Sequence, residues 1–333
     1  MSDLFCSLIK NRSVSKFLRH LAGRVIWPLV VALTILVINV IKYYIPTLLP
    51  KLYFVNGHKY GILYFNMIGF FDSGVGGLTI IEEVHKLIPE YSTVYLGDSA
   101  RAPYGNKTHD ELVKYAWQGA EWLFAKGCDL VIFACNSASA SALREIQQQK
   151  LQKFPDKRIL GVIGPTVEEI AKRGHKNILV LSTVATKESG AYANEFKKLN
   201  PDIQVFSHAC PNWGPMVEQG MVGTEEMFLD VKREISEAEK KASDYDAVLL
   251  ACTHYPYVQD DVKRALYKNV PVYDQGGLVA LSLKGYLLRH PEIESGLEKN
   301  SVYQYFVTGD PVLAQKIASE RFGFDVDIKH VTV

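Results

Sequence analysis

The sequence is poor in cysteine and has no paired metal-ligand motif. Its 5 cysteines are scattered along 333 residues, too few and too dispersed for a disulfide scaffold. No Cys-x-x-Cys pair occurs, so we expect no metal site. The His-Glu-x-x-His, Walker and Gly-x-Ser-x-Gly motifs are missing too, and the lysines lie in stretches typical of solvated surface. Metalloprotease, P-loop, α/β-hydrolase and pyridoxal-phosphate chemistry are therefore not indicated.

An excess of either charge is also missing. Lys and Arg number 37 and Asp and Glu 36, which gives a net charge of +1. This balance suggests neither a nucleic-acid-binding surface nor an acidic tail. The 48% of apolar and 22% of charged residues are ordinary for a globular protein with a full core, and the length fits one large or two moderate domains.

Long apolar runs are rare, and the one that stands out lies near the N-terminus. Residues 25–41 are nearly uncharged and reach the short end of the length that spans a bilayer. Lys and Arg are concentrated before this run, a bias that would hold the N-terminus in the cytoplasm. Residues 1–66 are therefore either an extension with a membrane-anchoring segment at 25–43, or a translated upstream region before a true start at Met67.

From Met67 onward, short apolar runs alternate with helical stretches. The runs do not alternate with polar residues, which is typical of strands buried on both faces of a parallel sheet. They are "MIGFFDS", "STVYLGDS", "DLVIFACNS", "RILGVIG", "NILVLST", "IQVFSHACP" and "DAVLLACT". This alternation predicts an α/β fold with mainly parallel sheets flanked by helices.

Helix boundaries are legible at two places. Thr108 and Glu111 fit a capping box, and Gly127 fits the C-terminus of the helix that follows. Asp310, which precedes a proline, fits the start of a last helix, and Gly323 fits its end. These signals predict one helix after Thr108 and another after Asp310.

Two of the predicted strands end in the same way. "DLVIFAC" occupies residues 129–135 and "DAVLLAC" residues 246–252, so each strand carries a cysteine at its carboxyl end. Ligands of open parallel sheets bind beyond the carboxyl ends of the strands. The repeat therefore predicts two similar α/β units that face each other across a cleft, with Cys135 on one wall and Cys252 on the other.

A pair of thiols in one cleft has three uses: a redox-active disulfide, one nucleophile beside an incidental thiol, or two acid–base groups that address opposite faces of one carbon. The neighbours favour the third use. Asp72 and His254 could handle protons beside the thiols, although a turn role for Asp72 and a backbone-satisfied ring for His254 are open alternatives. The glycines of "SGVGG" would let the backbone approach a ligand. Groups suited to a carboxylate come from Ser73, Asn136, Ser137 and Thr253.

Five blocks, "FDSGVGGLT", "GDSARAPYGNKT", "ACNSASA", "ATKESGAY" and "ACTHYP", closely resemble those of glutamate racemases. The resemblance runs from Met67 to at least Gln275. It implies a cofactor-independent enzyme with two α/β domains and the active site in the cleft between them. Such an enzyme interconverts L- and D-glutamate and supplies D-glutamate for peptidoglycan, and thus for the cell wall and cell shape. We take residues 67–160 with 276–333 as the first domain and residues 161–275 as the second.

The resemblance also implies the site residues. Cys135 and Cys252 match the two catalytic cysteines, with Cys135 expected to act on the D-enantiomer and Cys252 on the L-enantiomer. Asp72, His254 and Glu188 match groups expected to assist proton transfer. The substrate-binding positions are matched by Asp72, Ser73, Tyr104, Gly105, Asn136, Ser137, Thr253 and His254.

The departures from the family pattern are modest, and none removes a catalytic group. Ser137 stands where the family more often has Thr, Gly164 where an acidic residue is frequent, and Ala251 where Gly is commoner. The resemblance further implies glutamate as a small-molecule substrate and a homodimer, and the required free thiols favour a cytoplasmic catalytic domain. Two alternatives stay open: aspartate racemase or a related amino-acid isomerase, and a thiol-redox sensor in which Cys135 and Cys252 form a disulfide.

Overall fold

The computed structural model describes residues 66–242, 244–323 and 325–333. The predicted membrane-anchoring segment at residues 25–43 lies outside these residues. Within the described part of the chain, no helix combines the length and the apolar character needed to cross a membrane.

Short, largely buried strands form the framework of the described residues. They are β1 (Ile68–Asp72), β2 (Thr93–Gly97), β3 (Leu130–Phe133), β4 (Arg158–Gly161), β5 (Asn177–Ser182), β6 (Gln204–Ala209), β7 (Ala247–Ala251), β8 (Val272–Tyr273), β9 (Tyr303–Val307) and β10 (Ile328–His330). A first sheet has the strand order β10-β9-β2-β1-β3-β4 and a second sheet the order β6-β5-β7-β8. Every pairing in both sheets is parallel, as predicted.

Helices connect the strands and cover both faces of each sheet. They are α1 (Leu78–Leu87), α2 (His109–Ala125), α3 (Asn136–Ser141), α4 (Leu143–Glu145), α5 (Ile163–Ala171), α6 (Val184–Ser189), α7 (Ala191–Leu199), α8 (Trp213–Glu218), α9 (Glu225–Lys241), α10 (Gln259–Ala265), α11 (Gly276–Arg289), α12 (Pro291–Glu294) and α13 (Pro311–Phe322). A π-turn at Ile146–Lys150 follows α4, and short 3₁₀ turns lie at Ser99–Arg101, Tyr104–Asn106, Leu151–Lys153 and Tyr255–Val258. The fold is therefore the predicted α/β type.

The seven predicted strands are confirmed, and three more were missed. Strands β1, β2, β3 and β7 are buried at every position, which is why their sequences do not alternate. The missed strands β8, β9 and β10 lie at or near sheet edges. Strands β8 and β10 have only 2 and 3 residues, and the first two residues of β9 are incompletely buried. Short or half-exposed strands give too weak an apolar signal to be found in the sequence.

Both predicted helix signals are confirmed. The side chain of Thr108 accepts from the backbone N–H of Glu111, whose carboxylate in turn accepts from the N–H of Thr108 at 3.0 Å. Gly127, just after α2, has a φ of 89°, a left-handed conformation that favours glycine. Asp310 caps α13 through its side chain, and Gly323 ends that helix with a φ of 72°.

The parallel pairing of the strands places their carboxyl ends at the same edge of each sheet. In the first sheet Asp72 pairs with Gly97, and Phe71 pairs with Phe133, two residues before Cys135. In the second sheet Ser182 pairs with Ala251, which directly precedes Cys252. The two cysteines therefore occupy corresponding positions, each just beyond the end of a central strand.

Helix α2 packs closely on the first sheet at Gly119. A Cβ at Gly119 would lie 2.3 Å from Cε2 of Phe71. Alanine normally stabilises a helix interior relative to glycine by about 1 kcal/mol. We nevertheless expect Gly119→Ala to lower the free energy of unfolding by about 1–3 kcal/mol, because the core ring has to move.

The matched control is Gly285→Ala in the interior of α11, where a Cβ would meet only the end of the Arg289 side chain, at 3.1 Å. We expect this change to be neutral or stabilising. Urea unfolding of the full chain and both variants measures the difference. Equal stability of the two variants would contradict the packing described for α2.

Candidate active site

One cavity lies where the carboxyl ends of both sheets meet. Its empty volume is about 510 Å³, including its open mouth. Strand β1 ends at Asp72, just before Ser73, and the segments after β3 and β7 carry the two cysteines. The cavity is lined by, among others, Ser73, Tyr104, Cys135, Ser137, Cys252 and His254. The structure thus brings both predicted thiols to one cavity, each from a different sheet.

Buried and partly buried hydrogen bonds join the two walls of this cavity. Thr253 Oγ1 donates to Asp72 Oδ1 at 3.2 Å, and the backbone N–H of Val75 donates to Glu218 Oε1 at 2.9 Å. The hydroxyls of Ser137 and Thr183 lie 2.9 Å apart. Each pair joins a residue that follows a first-sheet strand to one from the second-sheet side, so these bonds fix the distance between the walls.

On the Cys252 wall, the thiol belongs to a chain of three groups. Nδ1 of His254 lies 3.7 Å from Cys252 Sγ, and Nε2 lies 2.6 Å from Glu218 Oε1. Burial alone would lower the pKa of His254, but the hydrogen bonds to Cys252 and Glu218 outweigh it and raise the pKa well above its usual value. Burial likewise opposes ionisation of Glu218, yet the bond from His254 keeps its pKa below the usual value. His254 is therefore an imidazolium held between a sulfur and a carboxylate.

On the opposite wall, Cys135 has no imidazole beside it. Its Sγ donates to Ser73 Oγ at 3.6 Å, and the side chain is only 3% exposed. Burial, reinforced by the charge of Asp72 and only partly offset by a bond from the Ala138 N–H, raises the pKa of Cys135 to about 12. Cys135 is thus a protonated thiol at neutral pH, and the two walls differ in charge.

Asp72 is a carboxyl group that contacts residues of both walls. It is fully buried, and burial raises its pKa against the opposing charge of His254 and backbone bonds from Gly74 and Gly77. Its Oδ2 accepts from the Gly74 N–H at 3.1 Å while Oδ1 accepts from Thr253. The turn role considered for Asp72 is therefore present, through its bond from Gly74, and the same carboxyl group also contacts the opposite wall through Thr253.

The glycine-rich loop after β1 packs closely against side chains of the opposite wall. A Cβ at Gly74 would lie 1.9 Å from Glu218 Oε1, and one at Gly76 would lie 2.5 Å from Thr253 Oγ1 and 2.7 Å from His254 Nδ1. These glycines give the side chains of the opposite wall the space they need. The loop therefore lets Glu218 and His254 reach the cavity edge.

Asn136 lines the cavity, and its amide also makes hydrogen bonds within the protein. Tyr192 Oη donates to Asn136 Oδ1 at 2.6 Å, and Asn136 Nδ2 donates to Gln275 Oε1. Gln275 Nε2 in turn donates to Tyr192 Oη at 2.7 Å. The Asn136 side chain therefore connects the two walls while it also lines the cavity, and sequence analysis missed its protein partners.

Tyr104 and Gly105 line the cavity as expected. The hydroxyl of Tyr104 donates to Asp98, so this donor is already used within the protein. A Cβ at Gly105 would lie 2.8 Å from Cβ of Thr183, so this backbone approaches the opposite wall closely. The backbone of Tyr104 and Gly105 is therefore the part of this pair that is available to a ligand in the cavity.

Glu188 requires a correction. The structure leaves its side chain exposed on α6 and outside the lining of the cavity, because the buried face of that helix is formed by Ala185 and Thr186. The carboxylate that contacts His254 is Glu218, which lies 36 residues before it at the end of α8. Nothing in the local sequence marks Glu218, since its position depends on how α8 packs.

The four cysteines within the described residues are all free thiols. Cys128 and Cys210 are buried, as are Cys135 and Cys252. No disulfide therefore joins Cys135 to Cys252 in this structure.

Comparison with known proteins agrees with this geometry. The sequence profile of the Asp/Glu/Hydantoin racemase family matches residues 78–281. The glutamate racemase of Roseobacter denitrificans is 37% identical over 264 residues, which cover 76% of this chain and 95% of that protein.

Solved structures give the same result. A glutamate racemase from Bacillus anthracis has a TM-score of 0.72 at 29% identity and covers 81% of this chain and 98% of its own. A glutamate racemase from Francisella tularensis, solved in complex with D-glutamate, has a TM-score of 0.71 at 29% identity and covers 80% of this chain and 97% of its own.

The contact between Glu218 and His254 gives a direct test of the site's electrostatics. We expect Glu218→Gln to lower the pKa of His254, because the negative charge that favours the imidazolium is removed and Nε2 then faces a neutral amide. NMR titration of the His254 ring measures this shift. The matched control is Glu292→Gln, which removes the carboxylate of an exposed His290 pair and leaves His254 untouched. An unchanged His254 titration in Glu218→Gln would contradict the described contact.

Proposed function

Since this chain belongs to the glutamate racemase family, we propose that it interconverts L- and D-glutamate through two thiols, Cys135 and Cys252. The observation that carries the proposal is their placement. Both line one cavity, and they reach it from the ends of strands in two different sheets. Two acid–base groups on opposite walls can address opposite faces of one carbon, as inversion of a stereocentre requires.

The reaction from L-glutamate begins with Cys252 as a thiolate and Cys135 as a thiol. Cys252 takes the α-proton, which leaves its electron pair on the α-carbon as a carbanion-like transition state. Cys135 then gives its proton to the opposite face, and D-glutamate forms. The protons have changed sides, so the enzyme returns to its first state by exchange with solvent or by the reverse reaction. No electron is gained or lost.

The charges on the two walls support this assignment. Cys135, with a pKa of about 12, is a proton donor in the free enzyme. Nδ1 of His254 lies 3.7 Å from Cys252 Sγ, so a group that can carry a proton stands directly beside this thiol. The resting pattern therefore suits L-glutamate as the incoming substrate, in accord with the expectation that Cys252 serves the L-enantiomer and Cys135 the D-enantiomer.

The remaining predicted residues have supporting positions. Ser73, Ser137 and Thr253 line the cavity and offer hydroxyls to the α-carboxylate and ammonium groups. The backbone of Tyr104 and Gly105 would receive the side-chain carboxylate. Donors held in a closed cavity stabilise the charge that develops on the carboxylate more strongly than water would.

Glu218 takes the auxiliary role that was expected for Glu188. Through its 2.6 Å contact it holds His254 in position beside Cys252. Asp72, buried and bonded to Thr253, has the corresponding place near Cys135. These two carboxylates act through their neighbours and position the groups that move protons.

The wider role follows from the same activity. A glutamate racemase supplies D-glutamate for peptidoglycan, and with it contributes to cell wall formation and cell shape. The domain boundaries at 160/161 and 275/276 stay a prediction. They are supported by the first sheet taking strands from residues 68–161 and 303–330, and the second from residues 177–273.

Two other functions can be separated from this one by a substrate test. Aspartate racemase activity would appear as loss of optical rotation with L-aspartate rather than L-glutamate. A thiol-redox sensor would form a reversible disulfide between Cys135 and Cys252 and racemise neither amino acid.

Removal of either thiol tests the two-base scheme. We expect Cys135→Ala and Cys252→Ala each to lower racemisation of glutamate by about 100-fold or more, the least that a positioned acid or base contributes. Circular dichroism at a fixed wavelength follows the rotation of each enantiomer. Cys128→Ala is the matched control, since Cys128 is equally buried but does not line the cavity. Near-normal turnover in either catalytic variant would rule the scheme out.

A further inference from the structure

A second group of chemically active side chains borders the same cavity, which Cys210 helps to line, but has no part in the proposed proton transfer. His208, Cys210 and Glu234 are all buried, and their ligand atoms lie within 4.8 Å of one another. Nε2 of His208 is 2.8 Å from Oε2 of Glu234. A thiol, an imidazole and a carboxylate collected in one buried place are the donor set that zinc prefers.

Local structure explains why these residues converge. The backbone N–H of Cys210 donates to Ser182 at 2.8 Å, so sheet pairing continues one residue past β6. Side chains two residues apart on a strand point to the same face, which places His208 and Cys210 side by side. That face packs against α9, which contributes Glu234 among its buried positions.

A fourth group stands next to these three. Asp230 lies one helical turn before Glu234 on α9 and is 9% exposed. Its Oδ1 accepts from Asn212 at 3.0 Å, but its buried Oδ2 has no hydrogen-bond partner within the part of the chain described. Arg233 contacts both Asp230 and Glu234, which keeps the two carboxylates together. An unpaired buried carboxylate oxygen is costly unless a cation or donor satisfies it.

We infer that His208, Cys210 and Glu234 form a zinc-binding site. The sequence predicted no metal site, because the ligands come from a His-x-Cys pair and a distant helix rather than from a Cys-x-x-Cys motif. Thiolate and one carboxylate balance the dication, and Arg233 balances the second carboxylate. The thiol proton of Cys210 goes to solvent on binding.

The His208–Glu234 pair needs only a small adjustment to hold zinc. Zinc holds nitrogen and oxygen ligands at about 2.0–2.2 Å, so two of them in a tetrahedron lie about 3.4 Å apart. His208 and Glu234 would therefore separate by roughly half an ångström from their present 2.8 Å contact. Their direct hydrogen bond is replaced by two bonds to the metal.

Binding there would fasten the end of β6 to α9. The segment between them contains α8 and Glu218, the carboxylate that contacts His254. Zinc would therefore act on the stability of this segment, from a site whose donor atoms do not include either catalytic thiol. The inference does not depend on racemase activity.

The test measures zinc binding in the full chain that carries Cys135→Ala and Cys252→Ala, so that the catalytic thiols cannot bind the metal. Cys210→Ala is added in one variant and Cys128→Ala in its matched control. Both variants keep every other His and Cys of the chain, so their difference reports on this cluster alone. Circular dichroism confirms folding, and Glu234→Gln provides a second variant that leaves the sulfur in place.

We expect the control to bind one more equivalent of tight zinc than the Cys210→Ala variant. Even an outer-shell partner of a metal is worth about 10- to 100-fold in affinity, so loss of a ligand should cost at least that much. Cobalt(II) should give a thiolate charge-transfer band in the control only. Zinc at 100 times its Kd should raise the Tm of the control by about 5 °C. Equal zinc affinity in the Cys210→Ala and Cys128→Ala variants, or no zinc bound by the control, would overturn the inference and leave a buried ion pair.

Discussion

The structure depends on buried and partly buried hydrogen bonds that join two parallel sheets at the ends of their strands. Asp72 with Thr253, Val75 with Glu218, and Ser137 with Thr183 all bridge the same cavity. Each bond contributes about 1 kcal/mol, and an unpaired buried partner would cost more. Because these bonds surround the thiols, the contacts that hold the walls together also fix how the two sulfurs face the cavity.

The two walls differ chemically because the two thiols have different neighbouring groups. Glycines 74 and 76 leave space on one side for Glu218 and His254, so Cys252 lies beside a positive charge. Burial, reinforced by the charge of Asp72, keeps Cys135 protonated against the opposing effect of its hydrogen bond to the Ser73 hydroxyl. One donor and one acceptor, set on opposite walls, are what the exchange of a single hydrogen needs.

Much of this could be predicted from the sequence, because strand ends are local features. The positions of Cys135, Cys252 and Asp72 follow from apolar runs and the rule that ligands bind at the carboxyl ends of parallel strands. Glu218 could not be predicted, since it lies on a short helix and its contact with His254 spans 36 residues. Glu188 was chosen from a local motif, and the turn of α6 directs it to solvent. The carboxylate of Glu234 and the sulfur of Cys210 likewise come close only through packing of α9 on the sheet.

The most direct measurement follows hydrogen at the α-carbon during racemisation in D₂O. L-Glutamate is incubated with the full chain, and both enantiomers are separated early in the reaction and analysed by mass spectrometry. If one thiol removes the proton and the other delivers a second from the opposite face, the D-glutamate formed carries deuterium while the recovered L-glutamate keeps its original hydrogen. Deuterium appearing in both enantiomers at the same early rate, or product that keeps the original hydrogen, would contradict exchange by two sulfurs.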